Sequence, residues 1–90
     1  MSDCSREVTI GNQRGLHARA SAKVVNLASE IGNEIWVEKD GNRVTGTSIM
    51  GLMMLGAAMG DTIIIHVAGP DADAALERLV ELVAKRFDED

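Results

Sequence analysis

Ninety residues with 46% hydrophobic content fill one compact core and leave no room for a second, so residues 1–90 are read as a single domain. The net charge of −5 argues against a general nucleic-acid binder, which needs a basic face to neutralise phosphates. Two histidines and one cysteine cannot make a usual zinc site, nothing calls for another cofactor, and so small a domain cannot wall off a deep cavity. A surface site is therefore expected.

No apolar run approaches the roughly 18 residues of a membrane span. Met1 to Glu7 are polar and mixed in charge, without the apolar core of a signal peptide. The single Cys4 lies near a terminus read as loose and cannot form an internal disulfide, so it is expected to be reduced and inert. A cytoplasmic home without membrane insertion fits these features.

Arg6 to Gly11 alternates, with Val8 and Ile10 on one face, and predicts a short strand. Gly11 to Gly15 is a polar loop. From Ala18 to Ile31, Val24, Leu27, Ala28 and Ile31 fall at helical spacing, and Gly32 supplies a stop. Glu34 to Lys39 alternates again, with Ile35 and Val37 inward and Glu34, Trp36 and Glu38 on the other face. The Asp40-Gly41 pair has hairpin-turn chemistry, and Arg43 to Thr45 is the short returning strand at an edge. Thr47 to Leu55 is apolar at almost every position and reads as a short helix. Thr62 to Val67 is a β-branched strand, ended by Gly69-Pro70. Asp71 is placed as the N-cap of a last helix running to about Arg86, with Ala72, Ala75, Leu76, Leu79 and Val83 as its buried stripe. Phe87-Asp88-Glu89-Asp90 is an acidic end. The order βαββαβα packs most simply as an α+β open-faced sandwich: a four-stranded antiparallel sheet with three helices on one face. The other sheet face is solvated, which suits Glu34, Glu38 and His66.

Two clusters of residues carry chemistry. In Gly15-Leu16-His17-Ala18-Arg19, a histidine stands where a loop enters a helix. Unpaired N–H groups and a partial positive charge there favour a phosphoryl group. A neutral imidazole is a nucleophile, and Arg19 offers a forked cationic partner. Arg14, Arg19 and Lys23 gather three of the nine basic residues around His17. The plainer reading is a capping or solvated histidine. In Thr47-Ser48-Ile49-Met50-Gly51-Leu52-Met53-Met54-Leu55, Ser48 sits where an N-cap belongs. The helix after it is apolar nearly all round, although a helix lying on a sheet needs only one buried stripe. Leu52 and Leu55 can fill the core. Some of Ile49, Met50, Met53 and Met54 must then face out as an adaptable docking patch, unless a thin core takes them all.

Gly15-Leu16-His17-Ala18-Arg19 and the later Ser48-Ile49-Met50-Gly51-Leu52-Met53-Met54-Leu55-Gly56 closely resemble the motifs of HPr, the histidine-containing phosphocarrier family of the bacterial phosphoenolpyruvate-dependent phosphotransferase system. Length, element order, the Gly69-Pro70 break and the final helix fit as well. The resemblance implies that Enzyme I, charged from phosphoenolpyruvate, phosphorylates His17 on Nδ1, and that the group passes to a IIA acceptor domain. Arg19 would stabilise it in transit. From the residues themselves, the apolar excess of the short helix and the basic cluster near His17 make Ile49, Met50, Met53 and Lys23 the candidate partner-binding residues. Ser48 matches the family's regulatory serine, the target of an ATP-dependent HPr kinase/phosphorylase in many bacteria. The carrier would act as a monomer and turn over nothing alone. One departure is Ala20, where the family usually has proline. Alanine fits a first helical turn equally well. That change and the acidic end resemble the nitrogen-related branch, whose members regulate rather than feed sugar permeases. Two other classes compete. A regulatory binding module working only through Ser48 would lack the active histidine, and His17 is present. A stand-alone enzyme would need a second acid or base near His17 in sequence, and none is seen.

Overall fold

The structure, a computed structural model, describes residues 3–89; Met1, Ser2 and the final residue of the acidic end, Asp90, lie outside them. Its elements are β1 (Asp3–Thr9), α1 (Ala18–Ile31), β2 (Glu34–Lys39), β3 (Asn42–Thr45), α2 (Ile49–Met54), β4 (Thr62–Ala68) and α3 (Ala72–Ala84), with a short 3-10 turn at Arg86–Asp88 after the last helix. The sheet order is β1-β4-β2-β3, antiparallel throughout. The expected open-faced α+β sandwich is therefore the observed one.

The central strand β4 carries the register. Val67 stands opposite Cys4 on one side and Ile35 on the other, and His66 stands between Ser5 and Trp36. Because side chains alternate across a strand, Ile63, Ile65, Val67, Ile35 and Val37 all turn inward and are buried. His66 and Trp36 turn to the open face, where Glu38 bonds His66 Nε2 at 2.8 Å and the Arg43 guanidinium lies over the Trp36 ring at 5.8 Å. The helices close the inner face. Helix α1 buries small residues, Ala20, Ser21 and Ala28, together with Val24, and ends where Gly32 adopts φ 85° and donates to the Ala28 carbonyl. Helix α3 buries the expected stripe with Leu82 added. Among the described residues, no helix is long and apolar enough to cross a membrane.

Four expectations need correction. Strand β1 begins at Asp3 rather than Arg6, because its whole length finds partners on β4. Cys4 is accordingly a paired, half-buried strand residue, not part of a loose end. Asp71 occupies the N-cap position of α3 in a left-handed conformation, φ 56°, and its side chain makes no capping bond. Helix α3 stops at Ala84 rather than near Arg86, because Arg86 to Asp88 leave the helical conformation. Arg86, Phe87 and Asp88 take left-handed φ values of 55°, 56° and 61°, which turns the chain back and buries the Phe87 ring completely.

Phe87 ties the tail to the core beside Leu16, Val24 and Leu79. Truncating a fully buried phenylalanine costs about 3–5 kcal/mol. Phe87→Ala is expected to lower the stability by that amount, measured by urea unfolding followed through the single Trp36. A loss below about 1 kcal/mol would mean that the ring is not a core element.

Candidate functional site

The loop before α1 is set by contacts that only glycine permits. Gly15 has φ 64°, and a Cβ there would strike the Ala57 carbonyl oxygen and the Ala58 Cα. Leu16, the next residue, donates its N–H to that Ala57 oxygen at 2.9 Å and buries its side chain. The backbone is thus fixed on both sides of the turn before His17 is reached.

His17 is the N-cap of α1. Its backbone is extended, its carbonyl accepts from Ser21 N at 2.9 Å, and its ring Nδ1 accepts from Arg19 N at 3.3 Å. The far ring nitrogen, Nε2, meets the Glu89 carboxylate at 2.9 Å to Oε1 and 2.7 Å to Oε2. Both side chains are largely covered, His17 at 20% and Glu89 at 14% exposure. The protons follow from the partners. A backbone N–H can only donate, so Nδ1 presents its lone pair. An ionised carboxylate can only accept, so Nε2 carries the hydrogen. Both contacts select the same neutral tautomer, with Nδ1 aimed at the N-terminus of a fourteen-residue helix.

Glu89 is held in turn. Asn12, fully buried, donates its amide to Glu89 Oε1 at 3.1 Å and to the Gly15 carbonyl at 2.9 Å. Lys23 Nζ donates to the Phe87 carbonyl at 2.6 Å and lies 3.9 Å from Asp88. The hydrogen bond from His17, and after it the one from Asn12, keeps the Glu89 carboxyl below its ordinary value of 4.5, against an opposing desolvation.

The expected residues divide into two groups. Arg19 is exposed and, with Gln13, Arg14, Lys23, Asp88 and Glu89, lines a shallow cleft on the His17 side of the molecule. Ala20 lies in the first turn with its side chain fully buried. Ser48 caps α2, its Oγ accepting from Gly51 N at 2.9 Å. Leu52 alone of α2 is buried, while Ile49, Met50 and Met53 are exposed and are joined on the surface by Met54 and Met59. His66 stays on the open sheet face, far in the chain order from this site. Sequence reasoning missed Asn12 and Glu89. Glu89 lies 72 residues from His17, and only its place in an acidic end marked it at all. Asn12 carried no signal beyond being a polar residue in a loop.

The fold and site are thus a half-buried histidine capping a helix on an open-faced α+β sandwich, with an exposed apolar helix packed against that helix. Residues 4–85 match the family model described as the PTS HPr component phosphorylation site. Among curated proteins, the chain is 44% identical over 84 residues to the phosphocarrier protein HPr of Cupriavidus necator, covering 93% of this chain and 94% of that one. It is 45% identical over 89 residues to the phosphocarrier protein NPr of Shewanella violacea, covering 99% and 98%. The crystal structure of HPr-C-His from Thermoanaerobacter tengcongensis superposes with a TM-score of 0.88 at 39% identity, over 100% of this chain and 99% of that one. The chain belongs to the HPr family of bacterial phosphocarrier proteins.

The lowered acidity range of Glu89 gives the contact a pH signature. A carboxyl depressed by folding contributes stability that is complete above its ordinary value and is lost as pH falls through the folded one. The contribution of the Glu89–His17 contact is expected to be complete at neutral pH and to be lost only as pH falls below 4.5, while the buried Phe87 ring still holds the rest of the tail. Amide exchange of Phe87 and Glu89, read against the amides of β4 between pH 7 and 3, checks this. Release of the tail already above pH 6 would contradict it.

Proposed function

We propose that this chain, acting as a single cytoplasmic domain and a monomer, accepts a phosphoryl group on His17 Nδ1 from Enzyme I and passes it to a IIA acceptor domain. The observation that carries the reading is the His17 ring itself, with an unprotonated Nδ1 facing the first turn of α1. A phosphoryl group joined there meets the backbone donors and the positive end of the helix dipole. Arg19, two residues on and free of any carboxylate partner among the described ion pairs, supplies mobile positive charge to the transferring oxygens. The protein is a carrier and a substrate of other enzymes rather than a catalyst.

The same sequence features support a nitrogen-related regulatory carrier as a second reading, favoured by the match to a phosphocarrier protein NPr along nearly the whole chain. The chemistry at His17 is identical in both readings. Only the acceptors differ.

His17→Ala is expected to abolish acid-labile labelling from phosphoenolpyruvate and Enzyme I while leaving the fold intact. Arg19→Ala is expected to change stability by no more than about 0.5 kcal/mol, as for a surface change, and to slow transfer. Radiolabel incorporation and urea unfolding of the two variants check both. Labelling that persists without His17 would end the carrier reading.

Partner docking is assigned to Lys23, Ile49, Met50 and Met53, with Ser48 as a regulatory phosphorylation site for a kinase of the HPr kinase/phosphorylase kind. The support is geometric. Met50 is 70% exposed, so it contributes little to the core. Ser48 leads directly into this face, and phosphorylation there adds about −1.5 to −2 charges that a covering partner must desolvate. Met50→Glu and phosphoserine at position 48 are both expected to raise the Kd for Enzyme I while leaving thermal unfolding nearly unchanged. Calorimetric titration measures the first and a thermal melt the second. A variant that binds as before would remove its residue from the docking face.

A further inference from the structure

The tail that carries Glu89 is built as a strap rather than a frayed end. Three successive residues with side chains, Arg86, Phe87 and Asp88, hold left-handed backbone conformations. Such conformations are unfavourable and persist only where the surroundings impose them. Here the surroundings are specific. The Phe87 ring is buried in the core, Lys23 Nζ holds the Phe87 carbonyl, and Lys85 lies 3.7 Å from Asp88. The strap then ends with the Glu89 carboxylate on His17 Nε2 and on the Asn12 amide. A solvated tail needs none of this.

We propose that Glu89 is a positioning residue for phosphoryl transfer: it fixes the His17 ring as the Nε2–H tautomer and balances the charge that the ring gains when Nδ1 is phosphorylated. This rests on the reading of His17 as the phosphoryl acceptor. In the accepting step the Nδ1 lone pair forms a bond to phosphorus as the bond from phosphorus to the donor protein's phosphorylated side chain breaks. The electron pair of that broken bond leaves with the donor. The proton on Nε2 stays in place. The neutral ring becomes positive, shared between its two nitrogens, and the Nε2–H bond to the carboxylate becomes charged on both sides. The interaction is therefore stronger with the group in transit than before, which is the condition for raising a rate rather than only tightening a ground state. In the donating step a lone pair on the acceptor protein's nucleophilic side chain forms a bond to phosphorus as the N–P bond breaks, the N–P pair returns to Nδ1, and the ring is neutral again with no proton to lose or find. Arg14, Arg19 and Lys23 share the cleft with Glu89, yet among the described residues the Glu89 carboxylate makes an ion pair only with His17, and Lys23 Nζ is held by the Phe87 carbonyl.

Imidazole nitrogen spectra of the uniformly 15N-labelled protein test the positioning half directly, with His66 as an internal reference because its own partner, Glu38, is untouched. At neutral pH the wild type is expected to show His17 as the Nε2–H tautomer. E89A should give a mixture of tautomers at His17 and no change at His66. E89Q is isosteric and its amide oxygen still accepts from Nε2–H, so it should keep the tautomer and lose only the charge. With Enzyme I and phosphoenolpyruvate, both variants are expected to transfer roughly tenfold more slowly at saturating carrier, with KM unchanged. A His17 tautomer unaltered in E89A would overturn the proposal. So would an unaltered maximal rate in both variants, or a loss confined to KM, which would make Glu89 a partner contact. The spectra need no phosphoryl donor. A wild-type protein that took no label while E89A still shifted the tautomer would overturn the carrier reading and leave the positioning of His17 by Glu89 standing.

Discussion

The bond from Leu16 N–H to the Ala57 carbonyl, 2.9 Å long, ties the loop that carries His17 to the segment that follows α2. One end lies a single residue before His17. The other lies three residues beyond the end of α2. Gly15, pressed against the same carbonyl, removes the remaining slack. Because Leu16 is itself buried in the core, the loop cannot slide without disturbing packing. The His17 ring and the exposed apolar helix are thus parts of one connected face rather than neighbours by chance. Under the proposed transfer, such a fixed relation would let each partner meet Nδ1 at a constant offset from the apolar face.

The ring is also fixed chemically. Histidine offers two nitrogens that exchange roles freely in water, and a carrier can use only one of them at a time. Here a backbone donor on Nδ1 and a carboxylate acceptor on Nε2 impose the same answer from opposite sides. Neither contact alone has much strength at a partly exposed site. Their agreement is what matters, because every alternative tautomer or protonation state sets donor against donor or acceptor against acceptor. The buried Asn12 amide extends this order outward by orienting the carboxylate.

The alternating strands, the stripe of α3 and the apolar excess of α2 are legible in the sequence because each repeats a local period that burial enforces. His17 is legible because its place at a loop-to-helix junction is itself a sequence feature. Ser48 can be placed as a cap for the same reason. The tail cannot be read that way. Nothing local marks Arg86-Phe87-Asp88 for left-handed backbone, since none is glycine, and the conformation comes from burying one aromatic ring at the end of the chain. Glu89 is invisible as a site residue because its partner lies at the other end of the sequence. The start of β1 reads too late because Asp3 to Ser5 alternate weakly on their own, and β4 supplies the pairing that local pattern lacks. Asp71 fits a capping rule by identity, yet the turn after Gly69-Pro70 gives its backbone a conformation from which the side chain does not reach the helix.

Strand β1 has a neighbour on only one side, and that neighbour is β4. Cys4 meets Val67 and Thr9 meets Thr62, so β1 has no partner until most of this domain has emerged behind it. Local hairpins and helices can close early at small entropic cost, whereas this pairing must wait for the whole stretch between Thr9 and Thr62 to be closed into a loop. The order of synthesis and the order of assembly therefore run opposite to one another. Helix α1 and the β2–β3 hairpin are complete while β1 is still a bare edge, and that edge is shielded mainly by charge: Asp3, Arg6 and Glu7 break up what would otherwise be a short sticky ribbon.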